Sequence, residues 1–195
     1  MESFIVEIYQ EATPNPESLK FTTNLNILPN FQIEFKSKNA VNGESLLADA
    51  LFELPFVQSV FLSQNFVTIT KTATADWYEI TPQIKKAIEE FHNSGKALVS
   101  DNLRKRGEFN PANDTDAAVS VEEKITALLD KYVRPAVEMD GGYIAFHSFD
   151  NGIVNLTMHG SCSGCPSSQI TLRAGIEGLL KRMIPEVKEV VAVEE

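Results

Sequence analysis

The sequence predicts an α+β protein of two small domains, and three observations lead to this fold class. Short segments of alternating apolar residues, typical of strands, are interspersed with apolar residues at helical spacing. A polar stretch, residues 96–119, separates two segments that are rich enough in apolar residues to form cores. The C-terminal segment has the order α-β-β-α-β, with a C-x-x-C loop between a strand and a helix. We therefore predict domains at residues 1–95 and 120–195, joined by a linker.

The composition excludes several classes of protein. Apolar residues make up 43% of the chain and charged residues 23%, as in globular proteins and unlike disordered ones. The formal net charge of −10 opposes contact with phosphate backbones, so we expect no nucleic acid partner. No apolar run approaches the length of about 18 residues that suggests a membrane span. Glu2 and Glu7 stand where a secretory signal would be basic. We therefore expect a cytoplasmic protein with no membrane partner.

The first domain is predicted to combine strands and helices. Residues 4–8 alternate as in a strand and are followed by a turn rich in proline. Thr81 and Pro82 predict the N-cap and first residue of a helix that ends near Gly95. The other predicted elements are an extended segment, a helix and the two strands of a hairpin: Ser18–Thr22, Ser45–Phe52, Val57–Leu62 and Phe66–Lys71. Nothing in this domain indicates catalysis.

The second domain is predicted to begin with a capped helix. Ser120 and Glu123 form a capping box, in which each side chain binds the other residue's backbone amide. Pro135 lacks an amide hydrogen, so we expect it to kink or restart the helix. A turn is predicted at Asp140-Gly141-Gly142. One apolar face is predicted along the helix: Val121, Ile125, Leu128, Leu129, Tyr132 and Val133.

A hairpin, a second helix and a last strand complete this domain. Segments Tyr143–Phe149 and Ile153–Met158 alternate around an Asp-Asn-Gly turn, which is a strong hairpin signal. A helix is predicted from Pro166 to about Met183, before Pro185 stops it. Its predicted inward residues are Ile170, Leu172, Ile176, Leu179 and Leu180. Val187–Val193 is rich in β-branched residues and is predicted as the final strand.

The two cysteines of the chain, Cys162 and Cys165, lie where a predicted strand ends and a predicted helix begins. The unpaired amides at the start of a helix favour the thiolate form of cysteine. Gly160 and Gly164 permit a tight turn with room for a bulky inorganic group, and Pro166 fits the first helical turn. We therefore predict that the loop presents both sulfurs on an exposed rim.

Three uses of the C-x-x-C motif are open from the residues alone. A structural zinc site needs four nitrogen or sulfur ligands, and His159 and His147 are the nearby histidines. A thiol–disulfide oxidoreductase would attack its target with Cys162, although the motif lies later in the chain than in thioredoxin-like proteins. A [4Fe-4S] cluster needs four thiolates, so two chains would each supply Cys162 and Cys165. A [2Fe-2S] form is also compatible with these residues.

The second domain resembles the NifU C-terminal domain of Nfu-type iron–sulfur proteins. The matching text is Asp140-Gly141-Gly142, Gly152-Ile153-Val154 and above all GSCSGCPSSQITLRAGIEGLLKRMIPEV. The first domain resembles the separate Nfu N-terminal domain through residues 13–21, through residues 66–71 and through Trp77. Tyr143 departs from the family pattern, which often has Asp at this position. Because the position starts a predicted strand, we expect the fold to be kept.

The resemblance implies a scaffold or carrier, and not an enzyme. Such a protein holds a [4Fe-4S] cluster, and the family's cluster ligands fall on Cys162 and Cys165 of this chain. The expected partners are a donor scaffold that supplies the cluster and apo iron–sulfur proteins that accept it. The cluster-loaded form is expected to be a homodimer, because one chain has two of the four thiolates. A thiol–disulfide oxidoreductase is the alternative.

Overall fold

The chain forms two compact units, residues 1–111 and 112–195. The computed structural model describes residues 6–28, 31–103, 120–163 and 166–193, with the backbone alone at 166–168. Each unit combines a sheet with helices and has its own apolar core, so the predicted α+β class is confirmed. No helix in these described ranges is both long and apolar enough to cross a membrane.

The first unit is built on a five-stranded antiparallel sheet with the order β1-β2-β5-β4-β3. Its strands are β1 Ile8–Ala12, β2 Ser18–Thr23, β3 Ile33–Phe35, β4 Val57–Leu62 and β5 Phe66–Lys71. Its helices are α1 Lys38–Val41, α2 Leu46–Phe52 and α3 Trp77–Asn93. The predicted hairpin is confirmed as β4 and β5. Neither β3 nor α1 was predicted, because three or four residues are too few to show a periodic pattern.

The long helix of this unit begins earlier than its prediction. Helix α3 starts at Trp77, and the Asp76 side chain caps it by accepting from the Tyr78 amide at 2.7 Å. The predicted start at Pro82 is therefore wrong, and the proline lies inside the helix. The extra turn is held in place because the Trp77 indole donates to the Pro16 carbonyl at 2.9 Å. The predicted end is confirmed, since Gly95 follows the helix with φ of +69°.

Residues 96–103 pack on the first unit, whereas the sequence assigned them to the linker. The side chains of Val99 and Leu103 are 1% and 0% exposed, and they belong to the core of this unit. The Ser100 amide donates to the Glu44 carbonyl at 2.8 Å, and the Leu47 amide donates to the Leu98 carbonyl at 3.2 Å. Residues 96–103 therefore belong to the first unit, and the rest of the predicted linker lies outside the described residues.

The second unit opens with a helix that contains a π-helical turn. It runs through α4 Val121–Leu128, the π turn Leu129–Val133 and α5 Arg134–Met139. The capping box is confirmed: the Glu123 amide donates to Ser120 Oγ at 3.1 Å, and the Ser120 amide donates to Glu123 Oε2 at 2.8 Å. The Arg134 amide donates to the Leu129 carbonyl, five residues back. The α-helical hydrogen bonding thus changes to a wider π turn just before Pro135, and an α-helix begins again at Arg134.

The π turn decides which side chains face the core. The buried residues are spaced four apart: Ile125, Leu129, Val133 and Val137. In a regular α-helix this spacing drifts around the axis, and the wider π turn reverses that drift. Tyr132 was predicted to lie on the apolar face but is 50% exposed, because the added residue turns it outward.

The sheet of the second unit has the order β6-β7-β8, so β7 is the central strand. Its strands are β6 Gly142–Asp150, β7 Ile153–Gly160 and β8 Glu189–Val193. The predicted hairpin is confirmed as the antiparallel pair β6 and β7, and β8 runs parallel to β7. Helix α6, Pro166–Met183, forms the crossover between the two parallel strands.

Helix α6 is fixed to the sheet by its apolar face and by one carboxylate. Ile176 and Leu180 are buried in the core, as predicted. Ile170 was predicted to face inward but is 63% exposed. Glu177 Oε2 accepts from the Val190 amide of β8 at 3.1 Å, and its other oxygen binds Lys181. The Lys181 hydrogen bond is the main cause of a lowered pKa of the Glu177 carboxyl, with a further contribution from the Val190 amide.

We predict that residues 96–103 contribute to the stability of the first unit. A fragment of residues 1–95 should unfold at a lower urea concentration than a fragment of residues 1–103, because it lacks Val99 and Leu103. Burial of such side chains stabilises a fold by about 1.5–3 kcal/mol each. Circular dichroism during urea titration measures both midpoints. Equal midpoints would show that residues 96–103 do not stabilise the first unit and would contradict this prediction.

Candidate functional site

The predicted site is a loop at the carboxyl end of the central strand. Strand β7 ends at Gly160 and helix α6 begins at Pro166. In sheets with parallel strands, ligands bind beyond the carboxyl ends of the strands, beside helix N-termini. Cys162 is described in this loop, whereas Gly164 and Cys165 lie outside the described residues. The assignment of Cys165 as a ligand therefore stays a prediction.

Cys162 differs from its predicted placement. The loop was expected to present both sulfurs on an exposed rim, but Cys162 is only 6% exposed. It belongs to the same buried cluster as Ile144 and Met158. Room for the thiol exists because Gly142 has no side chain: a Cβ at that position would lie 2.5 Å from Cys162 Sγ. The expectation of an exposed Cys162 is therefore wrong in this state of the chain.

The cysteine loop is bound to the turn at residues 140–142. Ser161 is 1% exposed, and its hydroxyl donates to the Asp140 carbonyl at 2.6 Å. The Ser161 amide donates to the Gly141 carbonyl at 3.2 Å. Within the loop, the Ser163 amide donates to the Gly160 carbonyl at 3.1 Å and closes a turn. The sequence predicts both turns but not the contact between them; the one local signal for this contact is the Gly141-Gly142 pair.

Two glycines in these turns are required by the backbone. Gly141 has φ of +79° and Gly160 has φ of +64°, in the left-handed region that favours glycine. Gly142 and Gly160 are partners in the β6–β7 register, so they form the end of the hairpin nearest to Cys162. A side chain at Gly160 would strain the turn that carries the cysteine, and one at Gly141 would strain the turn to which that loop is bound.

Tyr143, where the family often has Asp, packs beside this end of the hairpin. It is paired with His159 across the sheet, with the rings stacked at 6.4 Å. The guanidinium carbon of Arg134 lies 5.0 Å from the centre of the Tyr143 ring. Burial raises the pKa of the Tyr143 hydroxyl, and the charge of Arg134 opposes that rise. Tyr143 is part of β6, so the expectation that the fold tolerates it is confirmed.

Arg134 links the helical segment to the sheet at the same place. Its Nε donates to the Ile144 carbonyl at 3.2 Å, and its guanidinium forms an ion pair with Asp130 one turn earlier. The π turn and strand β6 are therefore joined two residues beyond Gly142. This role of Arg134 is not predictable from the sequence pattern, because it depends on contacts between separate elements.

The histidines considered for a zinc site lie on the hairpin. His147 is exposed on β6, and His159 is half-buried on β7 against Tyr143. Among the described residues, which exclude Cys165, no three or more His, Cys, Asp or Glu side chains are grouped to hold a metal ion. The described part of one chain therefore offers no complete four-ligand site.

Family models match both units of the chain. The model described as "Scaffold protein Nfu/NifU N terminal" matches residues 8–95. The model described as "NifU-like domain" matches residues 125–191. A solution NMR structure of a NifU-like protein from Saccharomyces cerevisiae is 28% identical; it covers 52% of this chain and 91% of that chain, with a TM-score of 0.45.

Curated relatives match nearly the whole chain. An "NFU1 iron-sulfur cluster scaffold homolog, mitochondrial" from Drosophila willistoni is 41% identical, covering 94% of this chain and 62% of that protein. The human protein of the same name is 39% identical, covering 94% of this chain and 70% of that protein. A relative from Drosophila persimilis is 39% identical and is covered over 64% of its length. The chain thus spans less than two thirds of the two fly relatives.

The names of these relatives correct one expectation from the sequence. All three are named mitochondrial, which points to mitochondria rather than the cytoplasm. The expectation of a cytoplasmic protein is therefore wrong. It rested on Glu2 and Glu7, which argue against a secretory signal but do not distinguish the cytoplasm from mitochondria.

We predict that the Ser161 hydroxyl stabilises the loop. Ser161→Ala removes the 2.6 Å hydrogen bond from the buried Ser161 side chain to the Asp140 carbonyl. Loss of a typical intramolecular hydrogen bond costs about 0.5–1.5 kcal/mol. Urea unfolding measures the change. Ser163→Ala is the matched control: its hydroxyl donates to the Gly160 carbonyl, which keeps the Ser163 amide, so its loss should be smaller. Equal losses in the two variants would contradict this prediction.

Proposed function

Because the chain belongs to the Nfu-type family of iron–sulfur cluster scaffold proteins, we propose that it carries a [4Fe-4S] cluster shared between two chains and passes it to apo iron–sulfur proteins. The family is one of scaffolds and carriers, not of catalytic enzymes. The observation that carries the proposal is the C-x-x-C loop between the central strand β7 and helix α6. We also propose that a donor scaffold supplies the cluster and that apo iron–sulfur proteins accept it.

The proposed ligands are the thiolates of Cys162 and Cys165. A cubane cluster is held by four thiolates, and one chain contains two cysteines. The described residues supply no alternative group of three or more ligands, so we assign the remaining two thiolates to a second chain. A cluster held by four thiolates is an anion. Helix α6 is 18 residues long and begins beside Cys165, so its N-terminus supports negative charge there.

Transfer is proposed to occur by ligand exchange. A thiolate of the acceptor forms a bond to iron as the bond from Cys162 or Cys165 breaks. The proton of the acceptor thiol passes through solvent to the departing thiolate, and no electrons are transferred. The described hydrogen bonds from the loop to the rest of the unit include those of Ser161 to the carbonyls of Asp140 and Gly141, and the exchange would require the loop to leave these contacts.

The burial of Cys162 disfavours the alternative function. A thiol–disulfide oxidoreductase attacks its target with an accessible thiolate, which by analogy with C-x-x-C enzymes would be Cys162. Cys162 is 6% exposed as a residue, so its sulfur does not meet a disulfide of another protein without a movement of the loop. Cluster binding also needs this movement, and each chain would gain two iron–sulfur bonds from it.

We further propose that residues 120–195 are sufficient for cluster binding. The buried core residues of the second unit all lie between Ile125 and Val190, and Ser120 caps its first helix. A fragment of residues 120–195 should therefore unfold cooperatively in circular dichroism and bind as much iron per chain as the full chain. A fragment without a cooperative transition would show that this boundary is wrong.

Reconstitution of the full chain tests the proposed cluster. Anaerobic addition of iron and sulfide should give a broad absorption band at about 400 nm, typical of a cubane bound by thiolates. Sedimentation should show that the loaded protein is a dimer, because four thiolates require two chains. The apo protein sedimented under the same conditions is the control. A monomer that carries a complete four-iron cluster would refute the shared site.

The cysteine variants test the proposed ligands. Cys162→Ser and Cys165→Ser should each lose stable cluster binding, because a serine oxygen is a poorer iron ligand than a thiolate. Iron and sulfide per chain measure this loss. Cys162→Ser should also lower stability, because its sulfur belongs to the core. Ser163→Ala, within the same loop, should keep its cluster. Full occupancy in either cysteine variant, or rapid insulin reduction by the apo protein, would overturn the assignment.

A further inference from the structure

We infer that Gly142 is a positioning residue, which holds the Cys162 thiol in a buried resting position that the thiol leaves when it binds a cluster. The resting position follows from the structure of the single chain. The departure of the thiol rests on the proposed function. The two parts are therefore tested separately, and the first needs no iron.

Space, and not backbone conformation, explains why position 142 is glycine. Unlike Gly141 and Gly160, Gly142 does not have φ in the left-handed region. A Cβ added there would lie 2.5 Å from Cys162 Sγ and 3.2 Å from the Cys162 amide nitrogen. It would also lie 2.9 Å from the His159 carbonyl oxygen. Any side chain at this position would thus clash with the sulfur where it now lies.

The neighbouring hydrogen bonds keep the thiol at this position. The Ser161 amide and hydroxyl bind the carbonyls of Gly141 and Asp140, directly before Gly142. Cys162 follows Ser161, so these bonds fix the start of its side chain over the gap at Gly142. The same short turn therefore anchors the loop and accommodates its sulfur. We call the gap at Gly142, bounded by the His159 carbonyl, the thiol socket.

A sulfur in the thiol socket is unsuited to iron. Its residue is 6% exposed and belongs to the buried core cluster that includes Ile144 and Met158. A cluster that also binds a second chain must approach from solvent. Cys162 therefore turns out of the socket on loading, and in the apo chain the socket shields this thiol from alkylating and oxidising reagents.

Alkylation of the apo protein tests the socket. In a Cys165→Ser background, Cys162 is the one remaining cysteine, and iodoacetamide reports its exposure. We expect native Cys162 to react at least about tenfold more slowly than the same chain in urea. Adding Gly142→Ala should increase the native rate by about tenfold or more, which corresponds to about 1.4 kcal/mol of lost preference for the socket.

A matched control is available in helix α6. A Cβ added at Gly178 would meet nothing within 4 Å, so Gly178→Ala should leave the alkylation rate unchanged. Native Cys162 reacting as fast as in urea would overturn the inference. An unchanged rate in Gly142→Ala would also overturn it.

If Gly142→Ala impairs folding, a double-mutant cycle tests whether the new methyl group clashes with the Cys162 sulfur. Gly142→Ala should lower the melting temperature strongly in the presence of Cys162 but much less in a Cys162→Ala background, where no Sγ meets the new Cβ. Equal losses in the two backgrounds would show that the methyl group clashes with the His159 carbonyl instead, and the inference would fail. Neither experiment uses iron, so a failure of cluster reconstitution would contradict the proposed function and not the socket.

Discussion

The arrangement of the second unit depends on the close contact between two loops, the turn at residues 140–142 and the cysteine loop at residues 160–163. Ser161 provides two hydrogen bonds across this contact, and the glycines allow the backbones to approach. The contact closes the end of the β6–β7 hairpin that lies opposite its Asp-Asn-Gly turn. The position of the Cys162 sulfur follows from this closure more than from the sequence immediately around it.

The surrounding elements keep this contact in place from two sides. On one side, Arg134 joins the helical segment to the backbone of β6, and the π turn keeps that segment's apolar residues on the core. On the other side, Glu177 connects α6 to β8. The strand β7 that carries the loop is therefore held between two strands, each of which is tied to a helix.

Periodic elements of this fold were predictable, whereas contacts between distant segments were not. The capping box at Ser120, the hairpin around its Asp-Asn-Gly turn and helix α6 were read from local patterns, and the family was identified from its motifs. The exposure of Tyr132 was missed because the π turn changes the number of residues per turn. The burial of Cys162 was missed because it depends on a side chain that is absent at Gly142, on another strand.

The order of strands in the second unit has a consequence for synthesis on the ribosome. The central strand β7 and its cysteine loop emerge before α6, and β8 emerges only after that helix. Until then one edge of β7 lacks its parallel partner, and pairing across a crossover is slow compared with hairpin formation. A nascent chain therefore exposes its thiols before the core that buries Cys162 is complete. In this interval the two cysteines are open to premature metal capture or oxidation.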